Sequence, residues 1–386
     1  MTPKAMDAPP AVFRVADAWR GEWMGPSLFR RAGATLHYLG QADAAAHAAE
    51  AGAPGTGVVT LPGVLLPGFT DHHVHLQLLS APGGQAAPAA PSVSGGTGAP
   101  GAPVSALESL AEGGFSRVID LGGSPDALAL LAKPDPFSPA VEFAGAFLTA
   151  PGGYPSDRAW ALAGSWREVA SADDAELAVA EQLSAGASRI KIVLHADAGP
   201  VWGDALLAEV VGVVRAAGIP VVAHVEGARQ AARAIAAGVD ILAHAPFSEP
   251  LAEALIAQAV AQGQRWVSTL AIHDEPERAI AIENVRAFRA AGGQVLYGSD
   301  MGNGDQPLGV NPAELTALEQ AGLNETAVLR ALVGGFGRGR WKKRVTWLHR
   351  RPSTTERPDE LFVELPGQFL AGAQSIAVAD LESVGA

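Results

Sequence analysis

Cysteine is absent from the 386 residues, which excludes disulfides, thiolate metal ligands and a cysteine nucleophile. Any metal site in this chain is therefore built from His, Asp, Glu or modified Lys. No stretch of about 20 residues is apolar without interruption, so the sequence offers no membrane-spanning helix. Met1 to Pro10 has no apolar run of secretory length, and a cytoplasmic location is expected. Positive charge is scarce too: 27 Lys and Arg against 40 Asp and Glu leave a net charge of −13, a field that repels phosphate backbones and argues against a nucleic-acid partner. What the chain does have is apolar surface. With 48% hydrophobic and 17% charged residues it is too apolar to stay disordered, and its length suits a (β/α)8 barrel with a small accessory domain.

The first segment, residues 1–63, reads as one part of a small β-rich cap, with β-like pieces at Val12 to Val15 and Thr35 to Leu39 and an Ala-rich helical stretch at Asp43 to Ala51. Over 64–333, aliphatic runs alternate with helical patterns, the signature of repeated strand-helix units and a parallel sheet. Eight strands are expected, near Leu65 to Leu76, Arg117 to Leu121, Glu142 to Leu148, Arg189 to Leu194, Ile219 to Val225, Asp240 to Ala243, Trp266 to Leu270 and Gln294 to Gly298. Helices fall between them at Asp174 to Ser184, Leu206 to Ala217, Ala228 to Ala237, Leu251 to Gln262 and Arg278 to Ala290. Eight strands suggest closure into a barrel. Ala81 to Pro103 is almost wholly Ala, Gly, Pro and Ser and reads as an insertion or a lid after the first strand. The last segment, 334–386, carries a basic run (Arg338, Arg340, Lys342, Lys343, Arg344, Arg350, Arg351) that reads as a solvated face. Its strand-like pieces at Leu361 to Leu365 and Ser375 to Val378 return toward the cap.

The strongest local signal is Pro67-Gly68-Phe69-Thr70-Asp71-His72-His73-Val74-His75. Side chains alternate along a strand, so Asp71, His73 and His75 share one face and His72 takes the other. Two imidazoles side by side at a strand's carboxyl end, where barrel enzymes build their sites, suit a divalent metal. His224 and His244 each close a consecutive candidate strand, and Asp300 follows the eighth, where a carboxylate can both touch a metal and accept a proton. Lys191 lies among aliphatics on a strand expected to be buried. A lone buried ammonium is costly, so this lysine should be paired, neutral or modified. Asp71 either orients a ligand or caps the strand's hydrogen bonding.

The order His73-x-His75, Lys191, His224, His244, Asp300 on strands one, four, five, six and eight resembles the amidohydrolase superfamily, most closely its imidazolonepropionase-like and prolidase-like members. The similarity extends through Gly113 to Gly123, Thr149 to Gly153 and Gly298-Ser299-Asp300. The resemblance implies a barrel with a β-sandwich cap formed by the two chain ends, and a two-metal centre. His73 and His75 would hold one metal and His224 and His244 the other. Lys191 would bridge them as a CO2-derived carbamate, and Asp300 would ligate the first metal and act as the catalytic proton acceptor. Nitrogen and oxygen ligands suit zinc first, with manganese, iron or cobalt equally permitted by ligand type.

The expected activity is hydrolysis of an amide-like C–N bond in a small substrate, a dipeptide, an N-acyl amino acid or a cyclic amide, by metal-bound hydroxide. Lactone, ester or phosphoester hydrolysis by the same centre is the alternative, and a non-catalytic metal-binding barrel is the remaining one. Tyr154, Arg158, His195 and His273 lie where substrate would sit and could together receive one carboxylate. A small-molecule substrate is the expected partner, with no nucleic acid and no membrane, and assembly into a homo-oligomer is left open.

Overall fold

The computed structural model describes residues 12–42, 58–79, 102–334, 343–349, 370 and 372–385. The Asp43 to Ala51 helix, nearly all of the Ala81 to Pro103 segment, the Leu361 to Leu365 strand and most of the basic run lie outside them. Strands β1 (Val12–Ala18), β2 (Ser27–Ala32) and β3 (Thr35–Gln41) form an antiparallel meander, and β4 (Val58–Pro67) adds in parallel to β1. Phe13 and Val15 point inward while Arg14 and Ala16 face solvent, the period-two pattern of a one-sided sheet.

After Gly68 the chain enters the parallel strands: β5 (Phe69–Val74), β6 (Phe115–Asp120), β7 (Ala140–Phe143), β8 (Phe147–Thr149), β9 (Trp166–Glu168), β10 (Ile190–His195), β11 (Val221–Glu226), β12 (Ile241–Leu242), β13 (Arg265–Val267) and β14 (Gln294–Leu296). Helices α1 (Ala102–Glu112), α2 (Pro125–Leu131), α3 (Ala172–Ser184), α4 (Asp204–Ala216), α5 (Gln230–Ala236), α6 (Glu253–Ala261), α7 (Glu277–Ala290), α8 (Pro312–Gln320) and α9 (Glu325–Leu332) intervene. This is the (β/α)8 barrel fold. Local chemistry sets the helix ends: Ser171 Oγ accepts from the Asp174 amide to cap α3, whose first turn carries Asp173 and Asp174 against the positive end of the helix dipole. None of the helices is long and apolar enough to cross a membrane among the described residues.

The strands pair as β5-β6-β7 and as β14-β13-β12-β11-β10-β8-β9. The groups touch at both flanks. Ser188, just before β10, donates its amide to Phe143 O on β7, and His72 on β5 donates to Tyr297 O after β14. Ile119, Val222, Ile241, Val267 and Leu296 point inward to a common apolar cluster, and Trp266 stacks on Phe288 of α7 at 3.8 Å in the outer layer. The stretch expected as one third strand, Glu142 to Leu148, is two strands here. Gly145 adopts φ +78°, and the chain turns between β7 and β8.

The far end of the chain returns as β15 (Arg344–Leu348), antiparallel to β4, and β16 (Gln374–Ala377), antiparallel to β15. The cap is then one six-stranded sheet among the described residues, in the order β16-β15-β4-β1-β2-β3, with Phe13, Phe29, Leu65 and Val345 in its core. Thr346 Oγ1 accepts from the Phe69 amide, which ties this sheet to the first residue of β5.

Candidate metal centre

His73 on β5 is fully buried, and its Nδ1 lies 2.8 Å from Ala243 O. A carbonyl only accepts, so Nδ1 carries the hydrogen. Burial, outweighing the nearby Asp300 charge, pushes the ring's pKa down to about 4, so it is neutral and Nε2 is a bare lone pair. That Nε2 faces Asp300 Oδ1 at 2.9 Å and His75 Nε2 at 3.2 Å, and no hydrogen bond satisfies Asp300 Oδ1. Two acceptors with no hydrogen between them, closed off from water, repel. A divalent cation between them removes the repulsion, and imidazole nitrogen with carboxylate oxygen is a donor set such a cation takes.

His75, just beyond β5, places Nδ1 3.1 Å from Gly122 O and Nε2 3.3 Å from Asp300 Oδ1. Burial works against its protonation, but the charge of the neighbouring Asp300 prevails and raises its pKa. Gly122 is required where it stands, because a Cβ would clash with the ring of Phe147. His244, two residues past β12, completes the group. The donor atoms of His73, His244 and Asp300 all lie within 4.8 Å of one another, and His244 Nδ1 sits 2.9 Å from Thr269 Oγ1. Two of these loops hold non-glycine residues in the left-handed region, Thr269 at φ +44° and Asp300 at φ +53°, a strain of about 1–3 kcal/mol each that fixes Oγ1 and the carboxylate in place. Asp71 secures the second loop, accepting from the Ser299 amide at 3.1 Å and the Ser299 hydroxyl at 2.5 Å while also accepting from the His73 amide. Burial acting alone would raise the Asp300 pKa, but its place among the His73, His75 and His244 rings holds it well below the ordinary carboxylate range.

Lys191 on β10 is 1% exposed, and burial lowers its pKa from 10.5 to about 7 although Asp300 and Asp120 act in the opposite direction. At neutral pH about half of it is the free amine, the form that captures CO2. Asp120 accepts from the Leu76 and Gly122 amides at 2.7 and 2.9 Å, holding the turn after His75.

A second cluster lies at the ends of β10 and β11. Register places His195 directly opposite Glu226, and His224 shares a face with Glu226 two residues away. Glu226 Oε2 is 3.0 Å from His224 Nε2, and Oε1 is 3.2 Å from His195 Nε2. Despite its partial burial, the hydrogen bonds and charges of these two histidines hold Glu226 well below the usual range. Sequence reasoning missed Glu226, although the spacing His224-Val225-Glu226 repeats the spacing His73-Val74-His75. His224 and His244 are neighbours, with ring centroids 4.9 Å apart at 89°, but the Nε2 of His224 faces Glu226.

Of the other expected contacts, Tyr154 packs its ring 4.7 Å from His195, tilted by 56°, and stacks 6.0 Å from His224, and burial raises its hydroxyl pKa to about 12. Arg158 leans over the Tyr154 ring at 5.5 Å and pairs with Asp157 at 3.3 Å. His273 stacks on Phe247 at 4.1 Å, 6.2 Å from His244. Burial pushes its pKa down to about 4, and its Nε2 is buried without a hydrogen-bond partner.

Solved structures with the same fold include a Xaa-Pro dipeptidase (TM-score 0.70, 15% identity, 94% of this chain and 96% of that one) and the ochratoxinase of A. niger (0.70, 18%, 89% and 91%). Phenylurea hydrolase B is a third (0.67, 14%, 98% and 99%). No curated protein matches the sequence. The amidohydrolase family profile matches residues 64–295. That match takes in more than half of the chain, including the strand ends that carry His73, His75 and His244, and so the protein belongs to the amidohydrolase family and is a metal-dependent hydrolase.

Proposed function

We propose that the protein cleaves the C–N bond of an amide that stands next to a free carboxylate in a small substrate, a dipeptide or an N-acyl amino acid, using two divalent cations, zinc first among them. The observation that carries this reading is the pair of lone-pair atoms, His73 Nε2 and Asp300 Oδ1, facing each other at 2.9 Å in a buried site. His73, His75 and Asp300 would hold one cation, and His224 and His244 the other. Lys191, half neutral at pH 7, would bridge them as a carbamate. The cations supply positive charge that polarises the amide carbonyl and brings the pKa of a water toward about 7. Asp300, kept ionised by its histidine neighbours, takes the proton of the attacking water and returns it to the leaving nitrogen. Tyr154, protonated at every working pH, donates to the substrate, and Arg158 at the mouth receives its carboxylate. Residues 1–63 and 334–386 would act as one cap on the 64–333 barrel, a reading supported by β15 joining the sheet of β1 to β4, although β4 itself runs on to Pro67. The working setting is the cytoplasm, with neither nucleic acid nor membrane as partner.

The test is Asp300→Asn, which keeps the size and one ligand oxygen but not the basicity. Turnover of N-acyl amino acids and dipeptides should fall by about 10²-fold or more, with metal content largely kept. Turnover near that of the wild type would remove Asp300 from the proton path. If a panel of lactones and phosphotriesters is hydrolysed tenfold better than the amides, the substrate class is wrong.

A further inference from the structure

We infer that Glu226 is a positioning residue for the second cation, acting through His224. This rests on the reading above in one respect only, that His224 is a ligand. A neutral imidazole has one N–H and one lone pair, and whichever nitrogen donates leaves the other as the only atom able to bind a metal. Glu226 Oε2 stands 3.0 Å from His224 Nε2, and an ionised carboxylate can only accept. The N–H of His224 is therefore held at Nε2, and Nδ1 becomes the ligand atom.

The carboxylate is itself fixed. Its other oxygen receives His195 Nε2 at 3.2 Å, from the residue that strand register sets opposite Glu226. His195 is braced in turn by the Tyr154 ring at 4.7 Å. With both oxygens engaged by imidazoles on two adjacent strands, Glu226 has no free rotation about its terminal bond, and the His224 ring inherits that rigidity. At the first cation site backbone carbonyls do the equivalent job, Ala243 O fixing His73 and Gly122 O fixing His75. At the second site a side chain does it. A carboxylate differs from a carbonyl in carrying a full negative charge, which makes the imidazole more basic and a stronger donor toward a cation.

The donor atoms of His195, His224 and Glu226 also lie close enough to hold an ion directly, all within 4.8 Å of one another, and the experiment separates the two roles. Metal-free full-length protein is titrated with Co2+ and Zn2+, and bound metal is counted at several free concentrations. Wild type should take up two equivalents. In Glu226→Ala the second should bind about 10–100-fold more weakly while the first is unchanged. Glu226→Gln, whose amide oxygen still accepts from Nε2–H, should recover most of the lost affinity and keep the wild-type Co2+ absorption spectrum. Long-range 1H–15N correlation of the metal-free protein should show His224 as the Nε2–H form in wild type and a mixture of forms in Glu226→Ala, a readout that a merely structural role would not move. Three results overturn the inference: a second equivalent bound as tightly in Glu226→Ala as in wild type, a Gln variant as weak as the Ala variant with an altered Co2+ spectrum, which would make Glu226 a direct ligand, or a wild-type chain that takes up one equivalent. His73→Ala serves as the control, since it must weaken the first equivalent if the hydrolase reading holds, whatever Glu226 does.

Discussion

Replacing Lys191 with methionine should stabilise the metal-free protein and cost it metal. Lys191 is 1% exposed, and its pKa falls from 10.5 to about 7. In the unfolded chain the amine stays protonated up to pH 10.5, so between pH 7 and 10.5 the unfolded state binds a proton that the folded state refuses. Stability therefore rises with pH across that window. At pH 7 the folded state carries an electrostatic cost of about 4 kcal/mol, since each tenfold difference in proton affinity between the two states is worth about 1.36 kcal/mol. Methionine has a similar length and no charge, so it keeps the packing beside Phe147 and removes the cost. Unfolding entropy grows with chain length, so a chain of this size gains roughly 1–2 °C per kcal/mol, and the melting temperature should rise by about 4–8 °C. Calorimetry on metal-stripped protein in CO2-depleted buffer at pH 7 reads the shift, and at pH 10 most of it should vanish. Bound metal in the reloaded variant should drop by at least one equivalent. A variant no more stable than wild type at pH 7 would show that the lysine is not held against its charge, and a carbamate there would lose its physical basis.

Glu314 on α8 accepts from the Ala271 amide at 2.7 Å, and burial pushes its pKa from 4.5 to about 7. The folded state then binds the proton more tightly than the unfolded one, so stability present below pH 4.5 is lost as pH rises to 7, by about 3 kcal/mol from this group. Glu314→Gln should flatten that part of the melting-temperature profile, and an unchanged slope would refute the shift. Arg158→Ala should lower kcat/KM for N-acyl amino acids by about tenfold, the value of one charge-assisted contact, while neutral amides are unaffected. Equal loss on both would remove Arg158 from carboxylate recognition.

The barrel was legible because parallel strands buried on both faces read as aliphatic runs, and the five expected helices coincide with α3 to α7 within a few residues. The break between β7 and β8 was not, since Phe143 to Leu148 is apolar throughout and only Gly145 punctuates it. Strand alternation was enough to place His73 and His75 together. It could not show that Ala243 O and Gly122 O set their tautomers, because those acceptors are backbone and any residue type supplies them. Glu226 was visible in the same alternation, but its meaning depends on the register that brings His195 across from it, and register between strands so far apart in sequence is a tertiary fact.

The pairing of β4 with β15 has a consequence for the order in which the protein can be completed. Pro67 and its partner Val345 are separated by about 280 residues, and ribosomes add roughly 5–20 residues per second, so one edge of β4 waits about 15–55 s for its neighbour. Through that interval β4 offers unpaired amides and carbonyls to any other extended chain, next to the strand that carries His73. The strand that carries His73 thus follows directly on a cap strand whose second neighbour comes only from residue 344 onward, and a chain that stops short of it carries His73, His75, His224 and His244 on barrel strands beside a cap sheet left open at one side.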